Sequence, residues 1–354
     1  MMSFEKIKEL ITNLKQIRQQ SKYLKRIKKS IKLLNKEIII ENIDVSLLKE
    51  KNKLNEYLNQ LFKNYPSFNI TFSNCNIEEI NLVVRHSQQL NFRECEIKGL
   101  EIHSNNKNSV NFNKCKFNFF SDESKQLVRI STYKVNLCDC TVDIKSNKQH
   151  IFEIGKDKES TVNIRNQRFL NKDNIPFILQ INSSDLTLNN YKNSDNIELI
   201  INKGIKDINY IHLVNSNVNF SHIHKVIVNM LLIENSSIMN LIAESKSIEL
   251  SGNCFFDKVK ILKSHDFTIN EDTSLTTKDI ILNAKYLECL ENSQINDINN
   301  RYTWLSNVSK IATHKDFKLK YNGKVIHNQE QYYIDSSFEI EDTNVNINQI
   351  KNRR

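Results

Sequence analysis

The sequence predicts an all-β parallel β-solenoid of about twelve coils of roughly twenty residues each, preceded by an α-helical basic arm. Three observations carry this. A short apolar phrase recurs at fixed spacing after Pro66, the hydrophobic periodicity changes there from helical to alternating, and the cationic excess lies before it. The organisation expected is a basic helical or coiled-coil arm over residues 1–65, a parallel β-solenoid over 66–300 and a C-terminal capping region over 301–354.

In the arm, Ile7, Leu10, Leu14, Ile17, Ser21, Leu24, Lys28 and Ile31 follow the alternating four-three spacing of a coiled-coil seam. Residues 1–65 hold 15 Lys and Arg against 7 Asp and Glu, whereas the rest of the chain is nearly balanced, so the net charge of +9 is concentrated at one end. Lys8, Lys15, Lys22, Lys29 and Lys36 recur by sevens, and Arg18, Lys25 and Lys32 form a second row beside them. Ile38 to Ile40 and Asn42 interrupt the pattern. Asp44 or Ser46 then caps a second helix with Leu47, Leu54, Leu58 and Leu61 on one side, and Pro66 marks its end.

The repeat reads apolar, any, apolar, two polar, small, any, apolar. Its copies begin at Ile70, Leu90 and Val110, then at Val135, Val162 and a blurred Leu186, and it sharpens again at Ile211 and Leu231. Ile248, Phe267 and Leu287 start weaker versions, and a late copy begins at Phe338. A unit this short cannot bury its own apolar face, so neighbouring units must stack. The two polar positions fit a corner between short strands. Asn and Asp there tolerate left-handed backbone, which explains how a chain with only 5 Gly turns so often. The same scarcity of glycine excludes a Gly-rich phosphate loop. The period is close to that of leucine-rich repeats, but their leucine and asparagine frame is missing.

Over residues 68 to about 300 the phrase resembles those of right-handed parallel β-helix proteins, the pectin-lyase-like group of polysaccharide lyases, phage tailspikes and bacterial adhesins. The resemblance concerns the fold and does not choose a function. It implies that an enzymatic member would be a polysaccharide lyase or glycoside hydrolase. Such chemistry needs acids gathered on one face of adjacent coils. Here the acids are scattered, with Asp139 and Asp143 in one coil and Asp266, Glu271, Asp272 and Asp279 in the only dense later stretch. No catalytic residue is assigned, and a non-enzymatic role is expected.

Cys75, Cys95 and Cys115 share one repeat position and should stack as an interior ladder of reduced thiols, a collinear arrangement unsuited to a tetrahedral metal. His222 and His224 share a strand face but lack a third ligand nearby. No metal or cofactor is expected. Candidate binding residues are Lys15, Arg18, Lys22, Lys25, Lys29, Lys32 and Lys36 for an anionic partner, and the late aromatics Tyr302, Trp304, Tyr332 and Tyr333 for an interface. Asn322-Gly323 marks a hairpin turn among the latter.

The leading expectation is a non-enzymatic scaffold that binds another macromolecule, a protein partner first, with the arm used for docking or for homo-oligomerisation through residues 1–36. The alternatives are a glycan-binding or glycan-cleaving β-helix of the tailspike or adhesin type, and binding of nucleic acid or an anionic membrane through the arm. A third reading of the arm is plain capping, its lysines solvated. No stretch is long and apolar enough to span a bilayer, and the first ten residues lack a secretory h-region. A soluble cytoplasmic protein is therefore expected, or a phage-particle component if the spike reading holds.

Overall fold

A computed structural model of the chain describes residues 21–49, 51–84, 88–104, 107–119, 127–145, 150–156, 159–171, 175–193, 196–201, 208–220, 225–299, 307–313, 317–321, 324–325 and 339–341. The described residues are mostly β-strand, with few helices, and their sheets are dominated by parallel pairing. They fall into two compact units, residues 1–155 with 170–175, and residues 156–169 with 176–354.

In the first unit, residues 21–30 are helical (α1) and lead into the hairpin β1 (Lys32–Leu34) and β2 (Glu37–Glu41). Helix α2 (Lys51–Asn64) follows. Strands β3 (Asn69–Ser73), β4 (Asn76–Ile77) and β5 (Ile80–Val84) form one rung. The next is β6 (Gln89–Arg93), β7 (Glu96–Ile97) and β8 (Leu100–Ser104); then come β9 (Ser109–Asn113), β10 (Lys116–Phe119) and β11 (Leu127–Ser131), and β12 (Lys134–Cys138), β13 (Thr141–Ile144) and β14 (His150–Ile154). Each rung gives one strand to each of three parallel ladders: β2-β3-β6-β9-β12, β4-β7-β10-β13 and β5-β8-β11-β14.

The register follows the repeat phrase residue for residue. Ile70 pairs with Leu90, Leu90 with Val110 and Val110 with Val135, and the same order holds for Phe72, Phe92, Phe112 and Leu137. Side chains alternate across a strand, so a slip of one residue would move every one of these apolar groups into water. Phe72, Phe92 and Phe112 stack with ring centroids 4.9 and 4.7 Å apart, the spacing of adjacent strands.

The corners are built by a residue in left-handed backbone before the small inward one. Asn74, Glu94, Lys114 and Asp139 have φ between 50° and 54°, and the N–H groups of the first three donate to the next rung at Arg93, Asn113 and Cys138. The following Cys75, Cys95, Cys115 and Cys140 are buried. Each thiol lies near two carbonyl oxygens, its own corner's and the preceding rung's, as Cys95 does at 3.3 Å from Arg93 O and 3.5 Å from Phe72 O. All seven cysteines are free thiols.

The second unit repeats this scheme. Val162 pairs with Leu186, Leu186 with Ile211 and Ile211 with Leu231. The weaker copies at Ile248, Phe267 and Leu287 continue the same ladder to Ile311 and to Ile340 of the late copy. Its corner residues Asn166, Asn190, Asn215, Asn235, Asp272 and Asn292 again have positive φ. Ser216, Ser236, Thr273 and Ser293 replace the cysteines with hydroxyls, which donate to nearby carbonyls at 2.6 to 3.5 Å. Glu271 and Asp272, half of the dense acidic stretch, are an exposed corner.

The arm departs from its expected form. A helical arm across residues 1–65 is corrected at Lys32–Glu41, which is a strand hairpin, and Ile38 and Ile40 are the inward residues of the first rung, paired with Ile70 and Phe72. Three consecutive β-branched isoleucines favour that extended state. Of the coiled-coil seam, Ile7, Leu10, Leu14 and Ile17 lie outside the described residues. Ile27, outside the predicted seam, is the buried residue of α1, while Lys28 at a predicted seam position is exposed. In α2 the buried face is Leu54, Leu58 and Phe62; Leu47 is exposed, on the short 3-10 turn Val45–Leu47 that Asp44 caps through Ser46 N at 3.0 Å.

Candidate basic docking site

Of the predicted cationic residues, Lys22, Lys25, Lys29, Lys32 and Lys36 are described, and Lys15 and Arg18 lie outside the described residues. So do the aromatics Tyr302, Trp304, Tyr332 and Tyr333, the Asn322-Gly323 turn and the pair His222 and His224.

The described cations are held by two elements. Helix α1 is fixed by three contacts of different kinds. Ile27 is buried, the Tyr23 hydroxyl donates to Asp44 O at 2.7 Å, and the Lys28 ammonium lies 4.2 Å from the centroid of the Tyr57 ring on α2. Burial, with Asp44 nearby, raises the Tyr23 pKa above its ordinary value. The helix stops at Ser30, whose Oγ donates back to Ile27 O at 2.7 Å. Beyond it, Asn35 and Lys36 take φ of 46° and 61°, the paired left-handed conformation of a tight hairpin turn whose twist matches the flanking strands. Leu34 therefore faces Glu37 and Lys32 faces Ile39.

The structure thus does not bring the two lysine rows together as one helical face. Lys22, Lys25 and Lys29 are exposed on α1, while Lys32 and Lys36 stand on the hairpin. Lys32 is tied to Glu41 at 2.9 Å. Arg26, which belongs to neither predicted row, is exposed on α1 beside them. Between Lys32 and Lys36 the strand β1 leaves Leu33 and Leu34 in water, at 45% and 52% exposure. Sequence reading missed this leucine pair because it assigned residues 6–36 to one helix. The signal was the Leu-Leu-Asn-Lys-Glu run, a turn dipeptide ahead of a β-branched strand.

A second polar face belongs to the other unit. Tyr210, Met230, Ser247, Asp266 and Tyr286 form one outward row across adjacent strands, and His212, Leu232, Glu249, Thr268 and Glu288 form the next. His212 Nε2 is 3.8 Å from Glu234 Oε2, and the His212 ring packs edge-on against Tyr210. Among the described residues no group of His, Cys, Asp and Glu is arranged to hold a metal ion. Asp143 is buried in the first unit, with its carboxylate 3.0 Å from Lys116 Nζ and 3.4 Å from Lys145 Nζ. A doubly compensated carboxylate of this kind is a structural ion cluster.

Among the described residues no helix is long and apolar enough to cross a membrane. No protein-family model, curated protein or solved structure matches the chain.

Proposed function

We propose that the chain is a non-enzymatic β-solenoid scaffold, each unit a stretch of stacked coils, which docks onto an anionic macromolecular partner through its basic N-terminal segment. One observation carries the reading. Lys22, Lys25, Arg26, Lys29 and Lys36 are exposed within fifteen residues of chain on two elements held by buried or hydrogen-bonded anchors. A positive field from such a cluster raises the local concentration of an anionic partner and speeds its association. The fold supports the scaffold role, since stacked coils present long faces at a fixed repeat. The test is retention of the full chain on a polyanion column. Changing Lys22, Lys25, Lys29 and Lys36 to Gln should lower the eluting salt concentration and flatten the salt dependence. Unchanged elution overturns the reading.

The glycan reading has one observation of its own. Glu234 and Glu249 lie on adjacent strands of one outward face, with His212 and Tyr210 beside them. Carboxylates on neighbouring coils are what a glycan-cleaving β-helix requires. Release of reducing ends or unsaturated products from a polysaccharide panel, abolished by Glu249→Gln, would favour it over the scaffold.

A further inference from the structure

Two leucines side by side in water need an explanation that the lysines alone do not supply. Among the described residues β1 pairs with β2 alone, which places it at the edge of its ladder. Short edge strands flanked by lysine are a known defence against unwanted pairing, and this accounts for the three-residue length of β1, for Lys32 at its start and for Lys36 in the turn after it. It does not account for Leu33 and Leu34, because an edge guarded against association is better served by polar side chains. A hairpin tip carrying an exposed apolar pair between Lys32 and Lys36, directly after a helix that exposes Lys22, Lys25, Arg26 and Lys29, has the composition of an element that enters a lipid interface. The leucines reach the acyl boundary while the ammonium groups stay with anionic headgroups.

Resting on the docking reading above, we propose that the anionic partner is a lipid bilayer surface, with the β1–β2 hairpin inserting Leu33 and Leu34 and with Lys22, Lys25, Arg26, Lys29 and Lys36 contacting acidic headgroups. The chemistry favours lipid over nucleic acid. Among residues 21–41 the one aromatic ring is Tyr23, partly buried and bonded through its hydroxyl to Asp44 O, and the nearby Tyr57 ring on α2 is already covered by the Lys28 ammonium at 4.2 Å, so neither is an open stacking platform for a base. Exposed aliphatic groups between lysines would gain nothing from a phosphodiester backbone.

The experiment is co-sedimentation of the full chain with phosphatidylcholine vesicles with and without phosphatidylserine, alongside retention on immobilised duplex DNA. Binding should require phosphatidylserine. Leu33→Ser with Leu34→Ser, which removes only the exposed apolar area, should weaken vesicle binding by about ten- to a hundredfold while leaving DNA retention unchanged. Lys25→Gln with Lys29→Gln and Lys36→Gln should weaken both. Leu34→Trp should tighten vesicle binding several-fold, since tryptophan favours the interface, and it keeps the test readable if the serine variant fails to fold. Vesicle binding that is indifferent to Leu33 and Leu34, or a wild-type chain that ignores phosphatidylserine yet holds DNA through its lysines, overturns the lipid assignment and leaves the docking reading standing. A chain that binds neither surface removes both.

Discussion

Replacing Cys95 with Asp tests the coil register at its most sensitive point. Cys95 is 1% exposed, stacked between Cys75 and Cys115, with its sulfur 3.3 and 3.5 Å from two carbonyl oxygens. A carboxylate placed there would face oxygen on two sides and lose its water. The variant must then either bury the charge or fold with the acid protonated. Taking up a proton at pH 7, roughly three units above the ordinary aspartate value, costs about 4 kcal/mol. The second carboxyl oxygen, left without a donor, adds about 1–3 kcal/mol. The total approaches the whole stability of a typical domain, so the variant should be unfolded or barely folded at pH 7 in a urea titration followed by circular dichroism. The raised folded-state pKa means that the penalty is fully present above that value and disappears below the unfolded one, so part of the loss should be recovered near pH 4. Cys95→Ser is the control. Its hydroxyl can donate to the corner carbonyl, as Ser236 Oγ does to Glu234 O at 2.6 Å, and the cost should stay within about 1 kcal/mol. A wild-type midpoint for the aspartate variant, or a serine variant as damaged as the aspartate one, would refute the register.

Other outcomes follow from the same geometry. Glu94→Asn and Lys114→Asn, at φ of 54° and 53°, should each raise stability by about 0.5–1 kcal/mol by urea denaturation, since asparagine tolerates left-handed backbone better. Gly252→Ala should destabilise by about 1–3 kcal/mol, because a Cβ there would stand 2.1 Å from Asn235 Oδ1, whose bond to Asn253 N it would break. Native-state thiol titration should label Cys138 alone, the other six being buried. Hydrogen bonds along the thiol ladder, to Cys115 from Cys95 and to Cys140 from Cys115, together with burial, push Cys95 and Cys115 each up to about 12, from an ordinary value of 9.0. The unfolded chain therefore releases these protons first, and stability should fall between pH 9 and 12 by up to about 1.4 kcal/mol per pH unit per thiol. A flat alkaline limb in pH-dependent urea midpoints would contradict it.

The parts of the fold legible in the sequence are those where the step between rungs is constant. From Ile70 to Val135 the apolar pair, the polar corner and the cysteine each fall in register, because a fixed step in sequence becomes a fixed step in space. Asn and Asp at the corners were legible for the same reason, but Glu94 and Lys114 were not, since neither advertises left-handed backbone. Ile38 to Ile40 escaped because α2 is inserted between the first rung and the second, so Ile38 meets Ile70 across thirty-two residues and no search at twenty finds it. Helix α2 was expected to bury Leu47 and Leu61; the residue one turn beyond Leu58 that closes the stripe is Phe62. In the second unit the copies blur because Leu231 meets Ile248 across only seventeen residues, and register shifts near Ala243 and Phe256 then disturb the steps from Ile248 to Phe267 and from Phe267 to Leu287. The candidate site was half legible. Its lysines were named from charge alone, but the hairpin that separates them into two groups, and the leucines between, depend on a turn hidden inside an apparent helix.

Residues 32–64 have a role of their own that bears on any dissection of the chain. Each of the three ladders in the first unit would begin with an open strand edge, and each has its own cover. The first starts at β2, which β1 pairs antiparallel. The second starts at β4, where Asp44 bridges Asn76 and Ile43 O accepts from Asn76 N at 2.8 Å. The third starts at β5, whose outward backbone is met by two asparagines one turn apart on α2. Asn59 Oδ1 accepts from Val83 N at 2.8 Å and its Nδ2 donates to Asn81 O at 3.1 Å, while Asn55 serves Asn81 N and Glu79 O. An amide side chain offers one donor and one acceptor in the spacing of a peptide group, so α2 stands in for a missing strand. Asn59→Ala should therefore cost about 1–3 kcal/mol, while Asn59→Gln should recover little, its longer stem displacing the amide from the edge. It follows that a chain beginning at Pro66 does not simply lack a basic arm. It exposes the starting edges of β3, β4 and β5 and the apolar surface that Leu54, Leu58 and Phe62 cover, so a rise in its solution mass would report edge pairing. Oligomerisation through the basic residues has to be measured on the full chain with Lys22, Lys25, Lys29 and Lys36 changed to Gln, where every edge keeps its cover and only the charge is lost.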